Sequence, residues 1–299
     1  MANPRTLDKR RKSVRNIKKI TRTMELIATA RFKQAMDRAS AATAFTQRIT
    51  QLVKDLTAAE LEFQHPLLEK RESKKKAVLL VLTSNRGLCG GYNGNICRAS
   101  FPRLKELREE YGEVELWISG KKGISIFRIQ KKMTPDKSFF NFEDKPRYEE
   151  VEAIAVDLLD AFQAHEIDRL DVAYMKFVST SRQEPSVETL LPLSGLEGAS
   201  ESSAAEAKPA AGSMYEFIPS AESILEEVVP TSFKVKLFKC FLDAAVCEQI
   251  ARRVAMKAAT ENANDLIKFL SREYNRARQS RITNEIMEII GGVEALASS

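Results

Sequence analysis

The residues with the greatest chemical potential sit in one short turn. Asn85-Arg-Gly-Leu-Cys-Gly-Gly-Tyr-Asn93 follows an apolar run of strand length, and backbone amides in such a glycine-rich turn can cradle an anion. The Gly-Lys-Ser/Thr ending of a nucleoside-triphosphate loop is missing, and the spacing is not Gly-x-Gly-x-x-Gly. The stretch therefore reads as a tight strand-to-helix connection whose glycines permit positive φ. Cys89 would need a nearby base to act as a nucleophile. Neither His65 nor His165 is close in sequence, so Cys89 reads as a small packed residue. Both histidines are expected at helix ends, as surface or capping residues. Glu149, Glu150 and Glu152 read as a solvated face, or as acids placed against a helix N-terminus, rather than as an acid–base pair.

Metal and redox chemistry find little support. Two histidines exclude a multi-histidine site. Cys89, Cys97, Cys240 and Cys247 match neither a zinc spacing nor a disulfide framework. The chain lacks an apolar run of about 18 residues, so no transmembrane helix is expected and any membrane role must come through partners. No catalytic, cofactor-binding or metal-ligating residue is assigned.

Glycine and proline show what must position these groups. Neither occurs between Pro4 and Pro66, nor between Pro230 and Gly291, so two breaker-free stretches bracket a middle that holds most of the breakers. Both stretches are rich in helix formers, and helices of that length need a partner along them. Ile17, Ile20, Met24 and Ile27 recur at threes and fours. The stripe then moves to Ala28, Ala35, Ala42, Ile49 and Leu56, with Phe32, Ala39, Thr46 and Val53 between. Near the other end Ala255, Ala259, Ala263, Leu266, Leu270, Tyr274 and Ala277 recur likewise, followed by Ile282, Ile286 and Ile289. This spacing predicts a coiled coil of the two ends; two helices of a larger bundle are the alternative.

The middle alternates strand and helix. Strands are expected at 77–83, 114–119, 170–177 and 187–191, and helices at 99–111, 123–130 and 148–165, which implies a mostly parallel sheet covered on both faces. Residues 194–213 hold one large apolar residue, Leu196, and read as a flexible linker. The expected fold class is α/β: a long antiparallel coiled coil of N- and C-terminal helices plus a central Rossmann-like domain. The expected segments are 1–66 (first helix), 75–195 (α/β domain), 196–213 (linker) and 214–299 (last helix with its lead-in).

Charge is uneven. Residues 1–38 carry twelve Lys/Arg against three acids, a local net of +9 in a chain of net +6. A basic end calls for an acidic partner: nucleic acid, a membrane surface or an acidic protein face. The segment lacks interleaved aromatics and any known nucleic-acid docking motif, which favours the protein face.

Three motifs, in order, carry a resemblance. Ile17-Lys-Lys-Ile-Thr-Arg-Thr-Met-Glu-Leu-Ile-Ala-Thr-Ala-Arg31, the turn Arg86-Gly-Leu-Cys-Gly-Gly91, and the closing stretch are similar to the F-type ATP synthase gamma-subunit family. The closing stretch comprises Met256-Lys-Ala-Ala-Thr-Glu-Asn-Ala263, Tyr274-Asn-Arg-Ala-Arg-Gln279, Ile282-Thr283 and Glu285-Ile-Met-Glu-Ile-Ile-Gly291. The resemblance implies a non-catalytic central-stalk rotor. It would turn inside a ring of three alpha and three beta subunits, with its α/β domain at the foot against epsilon and the c ring. No nucleic acid and no cofactor are implied.

By the same resemblance Met24 and Arg252 would face the acidic lever of a beta subunit. Arg278, Gln279, Thr283 and Glu285 would form a polar catch, while Ile286, Ile289 and Ile290 would turn in an apolar bearing. Tyr215 and Phe217 would lie near the c ring or epsilon. Cys247, Arg253 and Arg281 depart from the usual family residues, and the two arginines add positive charge. No cysteine lies between Cys97 and Cys240, so the dithiol regulation of chloroplast members is not expected. The helical pattern begins by Val14, leaving little room for a transit peptide. A bacterial subunit, peripheral on the cytoplasmic side of the plasma (inner) membrane, is expected. A coiled-coil adaptor using the basic helix, and a nucleotide-binding enzyme using the α/β domain, are the competing readings.

Overall fold

The computed structural model describes residues 3–58, 66–67, 74–142, 145–193 and 221–297. Five helices and five strands follow in the order α1 (Pro4–Ala58), β1 (Lys76–Leu82), α2 (Tyr92–Glu110), β2 (Glu113–Ser119), α3 (Lys121–Lys131), β3 (Lys137–Phe139), α4 (Tyr148–Gln163), β4 (Arg169–Phe177), β5 (Gln183–Leu191) and α5 (Ala221–Ala297). Two compact units contain them: Met1–Thr29 with Arg252–Ser299, and Ala30–Ala251.

The larger unit is built on one sheet of order β3-β2-β1-β4-β5. β1 pairs in parallel with both β2 and β4, β2 pairs in parallel with β3, and β5 joins the edge antiparallel to β4. β1 is buried over almost its whole length, as its unbroken Ala77–Leu82 apolar run requires of a strand covered on both faces. One face packs Val78, Leu80, Val172 and Tyr174 against α4 and α5 through Leu158, Phe162, Phe233 and Phe241. The other packs Leu79, Val81 and Ile118 against Ile96, Leu107 and Phe127 of α2 and α3. Two α1 positions one turn apart then close on α5, with Ala35 and Ala39 against Leu242, Val246 and Ile250.

The smaller unit is a helix pair. Asn3 starts α1: its side chain accepts the Arg5 N–H at 3.0 Å, and Pro4 takes the first helical position, where no N–H is needed. Arg11 stacks 4.7 Å from the Tyr274 ring centroid and Thr21 lies 2.9 Å from Thr260, hydroxyl to hydroxyl. The partner number falls as the α1 number rises, so the helices run antiparallel. Leu7, Thr21 and Ala28 are buried on α1, and Met256, Thr260, Ala263 and Leu270 on α5.

That seam corrects one expectation. Strict sevens run back from Ala28 to Thr21, Val14 and Leu7, without a shift of stripe. Ile17, Ile20, Met24 and Ile27, expected in the seam, are all exposed, at 52%, 55%, 36% and 47%. Leu266 is likewise exposed on α5. A helix has two apolar stripes here, one facing its partner helix and one facing outward.

Proline was also a poorer stop signal than expected. α5 runs straight through Pro230, whose ring removes one N–H and frees the carbonyl of Glu226. Glu226 is exposed, so water can satisfy that carbonyl.

Candidate functional surfaces

Doubly wound sheets take ligands at the carboxyl ends of their strands, so that mouth decides whether the α/β unit holds a small molecule. The glycine turn lies there, and its polar groups are consumed by the turn itself. Asn93 accepts the Ser84 N–H at 2.9 Å and its amide donates to Ser84 Oγ at 2.8 Å and to Cys89 Sγ at 3.2 Å. Ser84 Oγ in turn donates to the Arg86 carbonyl at 2.7 Å. Cys89 is buried. Positive φ falls on Gly90 and, unexpectedly, on Leu88, a residue type for which that conformation is strained.

The mouth is then stoppered from within. Tyr92 donates to the Ala244 carbonyl of α5 at 3.0 Å, and Phe142 stacks on Phe241 with centroids 4.6 Å apart. What remains between Thr83, Ser119, Tyr92, Phe142 and Phe241 is about 20 Å³, room for one water molecule. Gly120 makes the closure tight: at φ +99° it approaches β1 so closely that a Cβ would collide with the Thr83 carbonyl. A nucleotide has no room at this position.

His165 sits exposed at φ +59°, just past the end of α4. Its N–H bonds to the Phe162 carbonyl, so it terminates a helix. Glu149 and Glu150 occupy the first turn of α4, where carboxylates offset the helix dipole. Glu152 instead reaches Lys234 of α5 at 3.0 Å.

The smaller unit presents the opposite picture, with much of its character on the outside. Ile17, Ile20, Met24 and Ile27 form one exposed stripe on α1, spaced three, four and three apart. Lys9, Arg10, Arg15 and Lys19 are exposed beside it and make no ion pair among the described residues. The acid Asp8 is already engaged by Lys12 at 3.0 Å and Arg11 at 2.7 Å; these cations hold its carboxyl below the usual range. Arg252 is half-buried.

On α5 the expected residues separate into two sets. Arg278 and Glu285 line a cleft of about 370 Å³ together with Arg5, Asp8, Tyr274 and Arg281. Within it Arg281 pairs with Glu285 at 2.7 Å, one turn apart on the same helix. Gln279, Thr283, Ile286 and Ile290 follow at four, three and four, exposed along a single face. Ile286, Ile289 and Ile290 are 51%, 68% and 49% exposed, and Ile282 and Val293 extend the apolar surface. Tyr215 and Phe217 lie outside the described residues, as do His65 and the 194–213 linker.

Sequence reasoning missed Arg5, Asp8 and Val293 as surface partners of these sets. The offset of the Ile17–Ile27 stripe from the sevens through Thr21 was the signal that could have revealed an outward face.

Two antiparallel helices with an outward apolar and basic surface, and an α/β unit with a closed strand mouth, define the class of protein: a long helix pair joined to a doubly wound sheet. A family model described as ATP synthase matches residues 3–296. The ATP synthase gamma chain of Rhodopirellula baltica is 62% identical over 296 residues, covering 99% of each chain. That of Leptospira biflexa is 38% identical over 297 residues, covering 99% of this chain and all of the other. Among solved structures, a chain of the Euglena gracilis mitochondrial ATP synthase (OSCP/F1/c-ring, rotational state 3) aligns with TM-score 0.66 at 19% identity, over 98% of this chain and 94% of that one. A chain of the rotor of the same assembly aligns with TM-score 0.62 at 17% identity, over 93% and 98%. These last two speak to the fold alone. The chain belongs to the ATP synthase gamma-chain family. It is accordingly a non-catalytic subunit of a membrane-associated ATP synthase.

Proposed function

We propose that the outward surfaces of the helix pair act as an asymmetric cam inside a ring of three alpha and three beta subunits, while the α/β unit meets epsilon and the c ring. The observation that carries this reading is the unequal exposed surface of the smaller unit: an apolar and basic α1 stripe, and a polar then apolar α5 face. Met24 and Arg252 are assigned to the acidic lever of a beta subunit. Arg278, Gln279, Thr283 and Glu285 form the polar catch, and Ile286, Ile289 and Ile290 run in the bearing. Tyr215 and Phe217 are assigned to the foot, toward the c ring or epsilon.

The magnitudes favour a shared load. Driving a catalytic site from almost fully closed to almost fully open takes about 5.5 kcal/mol of differential interaction. A hydrogen bond to a charged group supplies about 1.5–3 kcal/mol, so two to four such contacts must change per step. No single residue of the catch suffices. Only contacts that differ among the three sites count, because uniform contact shifts nothing.

The complex would hold this subunit peripherally, on the cytoplasmic side of a bacterial plasma membrane, with association only through its partners. The test is purification of tagged chain from detergent-solubilised membranes. One copy per three catalytic subunits is expected, and membranes lacking the chain should keep intact catalytic subunits yet lose gradient-driven ATP synthesis. Recovery free of catalytic subunits, or bound to nucleic acid with a steep salt dependence, would favour the adaptor instead.

A further inference from the structure

Within the larger unit, α5 places an acid where an apolar residue would be expected. Asp243 is 3% exposed, flanked on its own helix by Phe241, Leu242 and Val246, which are all buried. Its nearest cation is Lys239, one turn earlier, at 3.8 Å, too far for a short charge-assisted bond. Cys240 and Cys247 are the other titratable groups of α5 close by.

The sheet edge beneath supplies the remaining charges. Lys176 of β4 also faces Asp243, but its ammonium is bonded to Glu188 of β5 at 2.8 Å. Glu188 therefore brings a second carboxylate toward Asp243, with the buried Tyr174 of β4 nearby. The α1 residues packed on this stretch of α5, Phe32, Ala35, Met36 and Ala39, carry no charge. The arrangement is two carboxylates and two lysines, with the better ion pair made between the strands and the poorer one left to the buried helix acid.

We infer that this quartet makes the seating of α5 on the β4–β5 edge proton-responsive: a proton taken up at Asp243 tightens the helix onto the sheet. Ionised, Asp243 meets both the loss of water and the like charge of Glu188. Protonated, it sheds the repulsion from Glu188, and at this position α5 presents a neutral group to the strands. Burial, with Glu188 adding to it, pushes the Asp243 carboxyl up to about 6. A folded-state value above the unfolded one makes this contribution complete below about pH 4 and lost as pH rises through about 6. The clamp belongs to the α/β unit and stands whether or not the helix pair is a rotor.

Trp117 is the single tryptophan of the chain and is buried in this unit, so its fluorescence reports the unit's unfolding in the full-length protein. Denaturant unfolding at pH 7.5 and 5.0 is expected to give the wild type a folding equilibrium constant about tenfold larger at the lower pH from this group. D243N should remove that gain and exceed the wild type at pH 7.5. Amide exchange, corrected for intrinsic rates, should slow in α5 and β5 on acidification in the wild type only. Glu188→Gln should shrink the wild-type pH dependence by removing the like charge, and decides the matter alone if D243N does not fold. A D243N slope equal to the wild-type slope, or an E188Q slope unchanged, overturns the inference.

Discussion

The same two helices meet in both units, and they meet differently. In the larger unit α1 offers Phe32, Ala35, Met36 and Ala39 to Leu242, Val246 and Ile250, and α5 is backed by a sheet. In the smaller unit the corresponding α1 positions are Leu7, Arg11, Val14, Lys18, Thr21, Glu25 and Ala28, polar at more than half the sites. Nothing among the described residues backs that pair, and many of its larger apolar side chains, Ile17, Ile20, Ile286 and Ile289 among them, face outward while Leu7, Met256 and Leu270 are buried. A seam of this kind removes little apolar surface from water, at about 25 cal/mol per Å². One half of the molecule therefore holds itself together. The other keeps its apolar surface for something else and opens at lower free energy.

The largest effect should come from the self-sufficient half. Phe127 is fully buried against Phe101, centroids 5.0 Å apart, and Phe127→Ala should cost about 3–5 kcal/mol, read from Trp117 unfolding. A loss under 1 kcal/mol would break the comparison. Next, amides of the smaller unit should exchange orders of magnitude faster than those of β1 and β4 in the free chain, and slow on assembly with catalytic subunits; equal protection in the free chain would erase the contrast.

Smaller effects sharpen it. Thr21→Val leaves the buried Thr260 hydroxyl without its cross-helix neighbour and should cost about 1 kcal/mol, whereas Thr21→Val with Thr260→Val should recover most of that loss. A double-mutant cycle in helicity and thermal unfolding measures it. Smallest of all, Ile20→Ser should change the free chain by less than about 0.5 kcal/mol yet weaken assembly with the catalytic subunits. Destabilisation of the free chain by several times that amount would mean Ile20 is packed after all.

How much of this was legible depended on what each residue faces. The parallel core strands stood out because β1 is apolar without interruption, and the terminal helices because nothing breaks them. β3 was missed: Lys137–Phe139 has three residues and no buried run. β5 begins at Gln183 rather than Val187, because an edge strand wetted on one side can carry Glu184, Pro185 and Glu188. α2 starts at Tyr92 rather than Ala99 and contains Pro102, whose unbonded partner carbonyl belongs to exposed Arg98. The outward stripe was mistaken for the seam for a physical reason. Periodicity records that a face leaves water without saying whether it meets its own chain or another. The Asp243 quartet was invisible, since its members come from three elements separated by long stretches of sequence.

The blocked mouth of the sheet has a practical side. A protein of this architecture usually listens to metabolites at that position, and here the door is shut by Phe241 and Tyr92. A nucleotide finds no seat at this one position. A compound meant to stall the molecule would have to lodge somewhere else on it.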